Sequence, residues 1–208
     1  MLRLAGGAIC GIAAGMVTGI GARAAMRMVA DGVPDPIRSL PMFTVEGTAA
    51  IVFFGALAGA PFGALFAVAH DRLPRPHRAR GLLFGVAMLV TLGPLFFTLG
   101  REEFLTYQRM VLFAFLFPLF GIAAGLAFEP GQRLARRLWG SAHVAFVLVA
   151  LAGGALVGSG ITAAIAQAVQ THGALAIAYA LPWLAVGVLF GWLLRSRVST
   201  AQLVRSPD

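Results

Sequence analysis

Six runs of apolar residues, at 4–28, 46–69, 81–99, 109–128, 142–168 and 173–194, take up most of this 208-residue chain. Each is close to the roughly 20 residues with which a helix crosses about 30 Å of hydrocarbon. The polar stretches between them are short, so little sequence is left for a water-soluble domain. A composition of 59% hydrophobic and 12% charged residues also lies outside the soluble range. The runs are continuously apolar, whereas a barrel strand would alternate over about ten residues. The pattern therefore predicts an all-α integral membrane bundle of six transmembrane helices, forming one domain over residues 1–208. Glycine and proline inside the runs fit this reading, because neighbouring helices can re-satisfy backbone groups that such residues free.

The first run follows Arg3 and ends near small residues, as a secretory signal does. Its apolar length exceeds a typical signal core, so a retained helix is expected. The single cysteine, Cys10, lies inside that run and can form no intrachain disulfide.

Charge orients the bundle. Arg3, the segment 70–80 with four arginines, the segment 129–140 with Arg133, Arg136 and Arg137, and the three arginines from 195 onward hold the whole formal net charge of +8. On the other side Arg23, Arg27, Arg38, Arg101 and Arg109 are balanced by Asp31, Asp35, Glu46, Glu102 and Glu103. Arginine excess marks the cytoplasmic side. The expectation is an N-in, C-in protein of the bacterial inner membrane, its basic face on anionic lipid headgroups. Lipid accounts for the basicity, and no nucleic-acid partner is expected.

Glycine spacing suggests which faces pack. Gly59 with Gly63, Gly121 with Gly125, and Gly187 with Gly191 each form a Gly-x-x-x-Gly pair in an even-numbered run, near Pro61, Pro118 and Pro182. Three helical hairpins in series are one reading; chance in a chain with 26 glycines is the other. In either case, glycines four apart let helix backbones approach closely in lipid. The first run has the longest ladder, Gly7, Gly11, Gly15 and Gly19, and two further steps of four reach Arg23 and Arg27. Each step drifts only about 40° around a helix, so Arg23 projects close to the glycine side.

An arginine at that depth needs a carboxylate, a route to the headgroups or a wet cavity. Asp31, Asp35 and Glu46 are near in sequence, and Glu46 suits the positive end of the second helix. Two readings follow for Arg23, Arg27 and Glu46: an ion-pair cluster joining helices one and two, or an outward-facing polar site. Ser159, Thr162, Gln167 and Gln170 would extend such a site from helix five, on one arc of about 140°. Serine and threonine in such helices also bond their own carbonyls.

Motifs for chemistry fall short. In "REEFLTYQR" at 101–109, Tyr107 stands where a Glu-Glu-x-x-x-Arg intramembrane protease requires arginine, and "FAVAH" at 66–70 ends on the opposite face. In "VGSG" at 157–160 the only nearby histidine, His172, belongs to the adjoining outer loop, and no base is secured within reach of Ser159. His70 and His143 lie near the same membrane face, so a bis-histidine haem is topologically possible, with interfacial histidines beside lipid phosphate as the plainer reading. No catalytic residue, metal site or cofactor is expected.

The segments "ARAAMRMVA" at 22–30 and "FTVEGT" at 43–48, between glycine-rich helices, resemble a pattern in small polytopic bacterial membrane proteins without an assigned function. The resemblance covers mainly residues 1–70 and implies no activity. Short loops, packing faces and the lack of a complete catalytic set predict a non-catalytic accessory or assembly subunit, with a membrane-protein partner or a homo-oligomer. A small transporter or channel using the Arg23, Arg27 and Glu46 site is the alternative, and an enzyme acting on lipid ranks last.

Overall fold

The computed structural model describes residues 1–30, 44–73, 77–99 and 107–172. They form α1 (Leu2–Ala30), α2 (Val45–Ala69) continued by a 3₁₀ turn (His70–Arg72), α3 (His77–Leu99), α4 (Tyr107–Ala114) and α5 (Leu116–His172). This is an all-α bundle of a multi-pass membrane protein.

The expectation of six spanning helices is corrected. The described residues hold five α-helices. Four of their stretches are long and apolar enough to cross a membrane, Leu2–Met28, Val45–Arg72, Met110–Leu138 and Val144–Gln167. In α3 the apolar stretch is Ala79–Gly93, short of that length. The anticipated loop at 129–141 is helical, because between Gly131 and Gly140 it consists of residues with good helix propensity. The run 173–194, with Gly187 and Gly191, lies outside the described residues, as does the C-terminus of the N-in, C-in scheme.

The run 109–128 is also interrupted, between α4 and α5 at Phe115. Pro118 supplies the reason. A proline has no N–H for the carbonyl four residues back, which is that of Ala114, and its ring crowds that carbonyl. The neighbouring bonds survive, with Phe115 N–H on Val111 O at 3.2 Å and Leu119 N–H on Phe115 O at 3.1 Å. The hydrogen-bond ladder therefore resumes on both sides of the rung that Pro118 removes.

α1 and α2 are an antiparallel pair zipped through glycine. Every step of four along α1 is met by a step of four backward along α2: Gly7 faces Gly63, Gly11 faces Gly59, Gly15 faces Gly55, and Gly19 faces Ile51 and Val52. A Cβ added to Gly11 would lie 2.7 Å from Gly63 Cα and closer still to Gly59 O. Only hydrogen on both Cα atoms allows that approach, which places Cα–H groups against facing carbonyls. α3 and the start of α5 pair similarly, Gly81 on Gly121 and Gly85 on Phe117 and Pro118.

α5 does not run straight. A straight helix would separate Gly131 and Gly153 by about 33 Å. Gly131 rests on Gly6 O at 2.8 Å and Cys10 at 3.3 Å, measured from the position a Cβ would take, while Gly153 meets Leu57 O and Pro61 at 2.9 Å. Those two sites are neighbours along the α1–α2 zipper, so the axis of α5 turns back between them. The intervening sequence includes Gly140-Ser141, the kind of pair at which helices kink. Gly153 then sits on a carbonyl with spare capacity, since Pro61 offers Leu57 O no N–H.

The core runs through the middle of this arrangement. Cys10, Ala14, Phe66, Phe84, Met88, Phe120 and Phe128 are among its buried members, contributed by α1, α2, α3 and α5. Cys10 is fully buried there as a small apolar filler.

Candidate functional site

Three features are candidates: two polar clusters at opposite ends of the bundle, and an apolar cavity between its helices.

The first cluster begins at the start of α2. Thr44 caps that helix, its Oγ1 accepting from Gly47 N–H at 3.1 Å. The cap leaves Thr48 one turn further on, its hydroxyl donating to Thr44 O at 3.0 Å and accepting from Arg23 Nε at 3.2 Å. Arg23 is only 8% exposed. Its guanidinium lies over Gly47, where an added Cβ would stand 3.4 Å from one terminal nitrogen. Gly47 thus continues the zipper by one step, with an arginine in place of the facing glycine. A cation beside the positive end of α2 is unfavourable alone, and Glu46 lies in that first turn. Glu46 and Arg27 are both exposed.

Helices one, two and five do converge, but their polar groups do not. Ser159 and Thr162 are exposed, and their hydroxyls donate to Leu156 O and Gly158 O, each at 2.9 Å. Gln167 and Gln170 are exposed as well. The face of α5 turned inward instead carries Val157, Gly160 and Ile161. These border a cavity of about 410 Å³ that lies among α1, α2, α3, α4 and both arms of α5. One wall is nearly flat, built from Gly15, Gly19, Gly55, Ala58 and Gly59; the other is aromatic, with Phe62, Phe96, Phe113, Phe117 and Phe120. Among the described residues Thr18 is the sole polar side chain on the lining, and its hydroxyl donates to Ala14 O at 2.8 Å.

The second cluster closes the opposite end. Continuing the α1 ladder one step before Gly7 reaches Arg3, which makes a two-pronged pair with Asp71, both bonds at 2.5 Å. Gln132 of α5 donates to Arg3 O at 3.0 Å, its side chain lying where Gly6 has none. Beside this pair, His70 is buried, stacked on Phe128 with ring centroids 4.1 Å apart and set edge-on to Phe66 at 5.5 Å. Arg80 of α3, 8% exposed, brings one terminal nitrogen to 3.2 Å from both ring nitrogens of His70. Its Nε is buried without a hydrogen-bond partner.

Sequence reasoning singled out Arg23, Arg27 and Glu46 and passed over Thr48, Arg3 with Asp71, and Arg80. For Arg3 a signal was present, since it occupies the next rung of the glycine ladder. Arg80 carried none, as it sits in an arginine-rich segment that reads as solvated. For the haem reading, one Arg80 nitrogen stands 3.2 Å from each His70 ring nitrogen and can donate to the one that carries no proton, and the side chain of His143 lies outside the described residues. Among the described residues there is no group of three or more His, Cys, Asp or Glu suited to a metal ion. No family model, no curated protein and no solved structure matches the chain.

Proposed function

We propose that the protein is a non-catalytic integral subunit of the bacterial inner membrane that assembles with another membrane protein through the outward face of α5. The observation that carries this is the contrast between its glycines. Those of α1, α2 and α3 are filled by neighbouring backbone or side chains, whereas at Gly154 and Gly158 an added Cβ would meet nothing within 4 Å among the described residues. In the stretch Val144–Gln167, Gly153 is the only buried residue among those described. Gly154, Gly158 and Thr162 form a run of small residues at steps of four, the spacing that brings lipid-embedded helices together. Lipid covers isolated apolar side chains at no cost, but it fills a glycine groove less well than a fitted helix does.

The end that carries Arg3, Arg72, Arg80 and Arg133 is the cytoplasmic one in this reading, where arginine excess is retained and anionic headgroups lie. The transporter alternative draws less support. Ser159 and Thr162 on α5 bond their own helix, and among the described residues the cavity lining carries one polar side chain, Thr18, whose hydroxyl donates to Ala14 O.

The test is native co-purification from mild detergent with the chain tagged at its own locus. A stoichiometric membrane protein should co-elute with the wild type, and Gly158→Leu should lose it while keeping the same elution volume and thermal unfolding. A wild-type chain that elutes with no partner would overturn the proposal and direct attention to flux measurements on Arg23→Ala.

A further inference from the structure

We propose that the cavity between the glycine wall and the phenylalanine wall holds one acyl chain of a bilayer phospholipid, with the phosphate near Arg27. Its chemistry favours an apolar occupant. Among the described residues the one hydroxyl on its lining already donates to a backbone carbonyl, so it is not available to orient a hydrogen-bonding ligand. Apolar cavities of this kind stay dry. At about 410 Å³ it also falls in the range of ligand sites rather than packing voids.

Access and medium select the ligand. The cavity is not enclosed: Phe96 of α3 and Gly160, in the apolar stretch Val144–Gln167 of α5, belong to its lining and are both exposed. The cavity therefore meets the hydrocarbon of the membrane, where acyl chains are the abundant apolar solute. The two walls suit such a chain: a smooth glycine floor imposes no side-chain shape, and phenylalanine faces give dispersion contact along its length.

Charge distinguishes a phospholipid from a neutral hydrocarbon. Met26 lines the cavity on α1, and Arg27 follows it, exposed in the last turn of that helix. A guanidinium has five N–H donors in a planar fork, so it can accept a phosphate alongside another partner.

Gly160 supplies the means to test this. It lines the cavity on the same helical face as Val157 and Ile161, yet an added Cβ there meets nothing within 4 Å among the described residues. A larger side chain at this position should fill the cavity without displacing any neighbour. The protein is reconstituted into vesicles containing phosphatidylglycerol with a diazirine on one acyl chain, irradiated, and its adducts mapped by peptide mass spectrometry. The wild type should give saturable adducts on Phe117, Phe120 or Met88. Gly160→Phe, or Gly160→Leu should the larger variant fold poorly, should lose those adducts, while Leu148→Phe on an exposed site of the same helix keeps them. Arg27→Gln should raise the mole fraction of probe needed for saturation.

Three results would overturn the proposal. One is wild-type labelling that rises in proportion to probe and favours the exposed Phe53 and Phe54. Another is labelling of the lining that Gly160→Phe leaves unchanged. The third is equally saturable labelling by a free fatty acid carrying the same diazirine, which would remove the role given to the phosphate.

Discussion

Replacing Gly11 by alanine tests whether backbone contact in the α1–α2 zipper holds the bundle together. The new Cβ would stand 2.7 Å from Gly63 Cα and 2.8 Å from Gly63 N, with Gly59 O nearer still. None of these atoms is the end of a flexible side chain, so relief requires the two helices to separate along the contact. Forcing one extra carbon into a packed site costs about 1–3 kcal/mol. Separation also weakens the Cα–H contacts at the flanking rungs, worth about 0.5–1 kcal/mol each. The expected destabilisation is about 3 kcal/mol, roughly a hundredfold in the folding equilibrium. Gly154→Ala provides the opposite case. With nothing within 4 Å of its Cβ position, it should gain the ordinary helix preference of alanine over glycine, about 0.5–1 kcal/mol. Both variants are measured by reversible unfolding in mixed micelles of increasing denaturing detergent. If Gly11→Ala unfolds within 0.5 kcal/mol of Gly154→Ala, at about the additivity error of such comparisons, the zipper account is wrong.

Arg23→Ala should lower stability by about 1.5–3 kcal/mol through loss of the bond to Thr48, and Thr48→Val by less, as thermal melts in detergent would register. Arg3→Ala should cost no more than about 1 kcal/mol, because Arg3 and Asp71 are 36% and 52% exposed; its effect should shrink in a salt titration and vanish in the Asp71→Asn background. Arg80→Met should leave stability unchanged or raise it, since it removes a buried cation whose Nε has no partner, and a fall of more than 2 kcal/mol in the unfolding assay would count against that view. Cys10, fully buried, should resist a membrane-permeant maleimide in the folded protein and react once denaturing detergent opens the bundle, with mass shift as the readout.

α1 and α2 are legible in the sequence to within a few residues because their signal is local. Long apolar runs begin near Leu4 and Glu46, and Thr44 marks the cap. Reading α4 and α5 went less well for a physical reason. An arginine-rich segment reads as a loop by charge, yet arginine, glutamine and leucine are also good helix formers, and a helix can carry the chain around a turn of the membrane face.

The candidate site divides in the same way. The ladder from Gly7 to Gly19 and on to Arg23 is written in the sequence, because a four-residue period is a property of one helix. Which helix fills the ladder is not. Gly55, Gly59 and Gly63 of α2 do so, while Gly121 goes to Gly81 and Gly85 of α3, and any of these could have exchanged partners on spacing alone. Only the tertiary structure decided that Arg3 meets Asp71, that Arg80 rests on His70, and that the space left between five helical walls is apolar. Periodicity specifies the face a helix offers; the partner and the cavity follow from how several such faces fit at once.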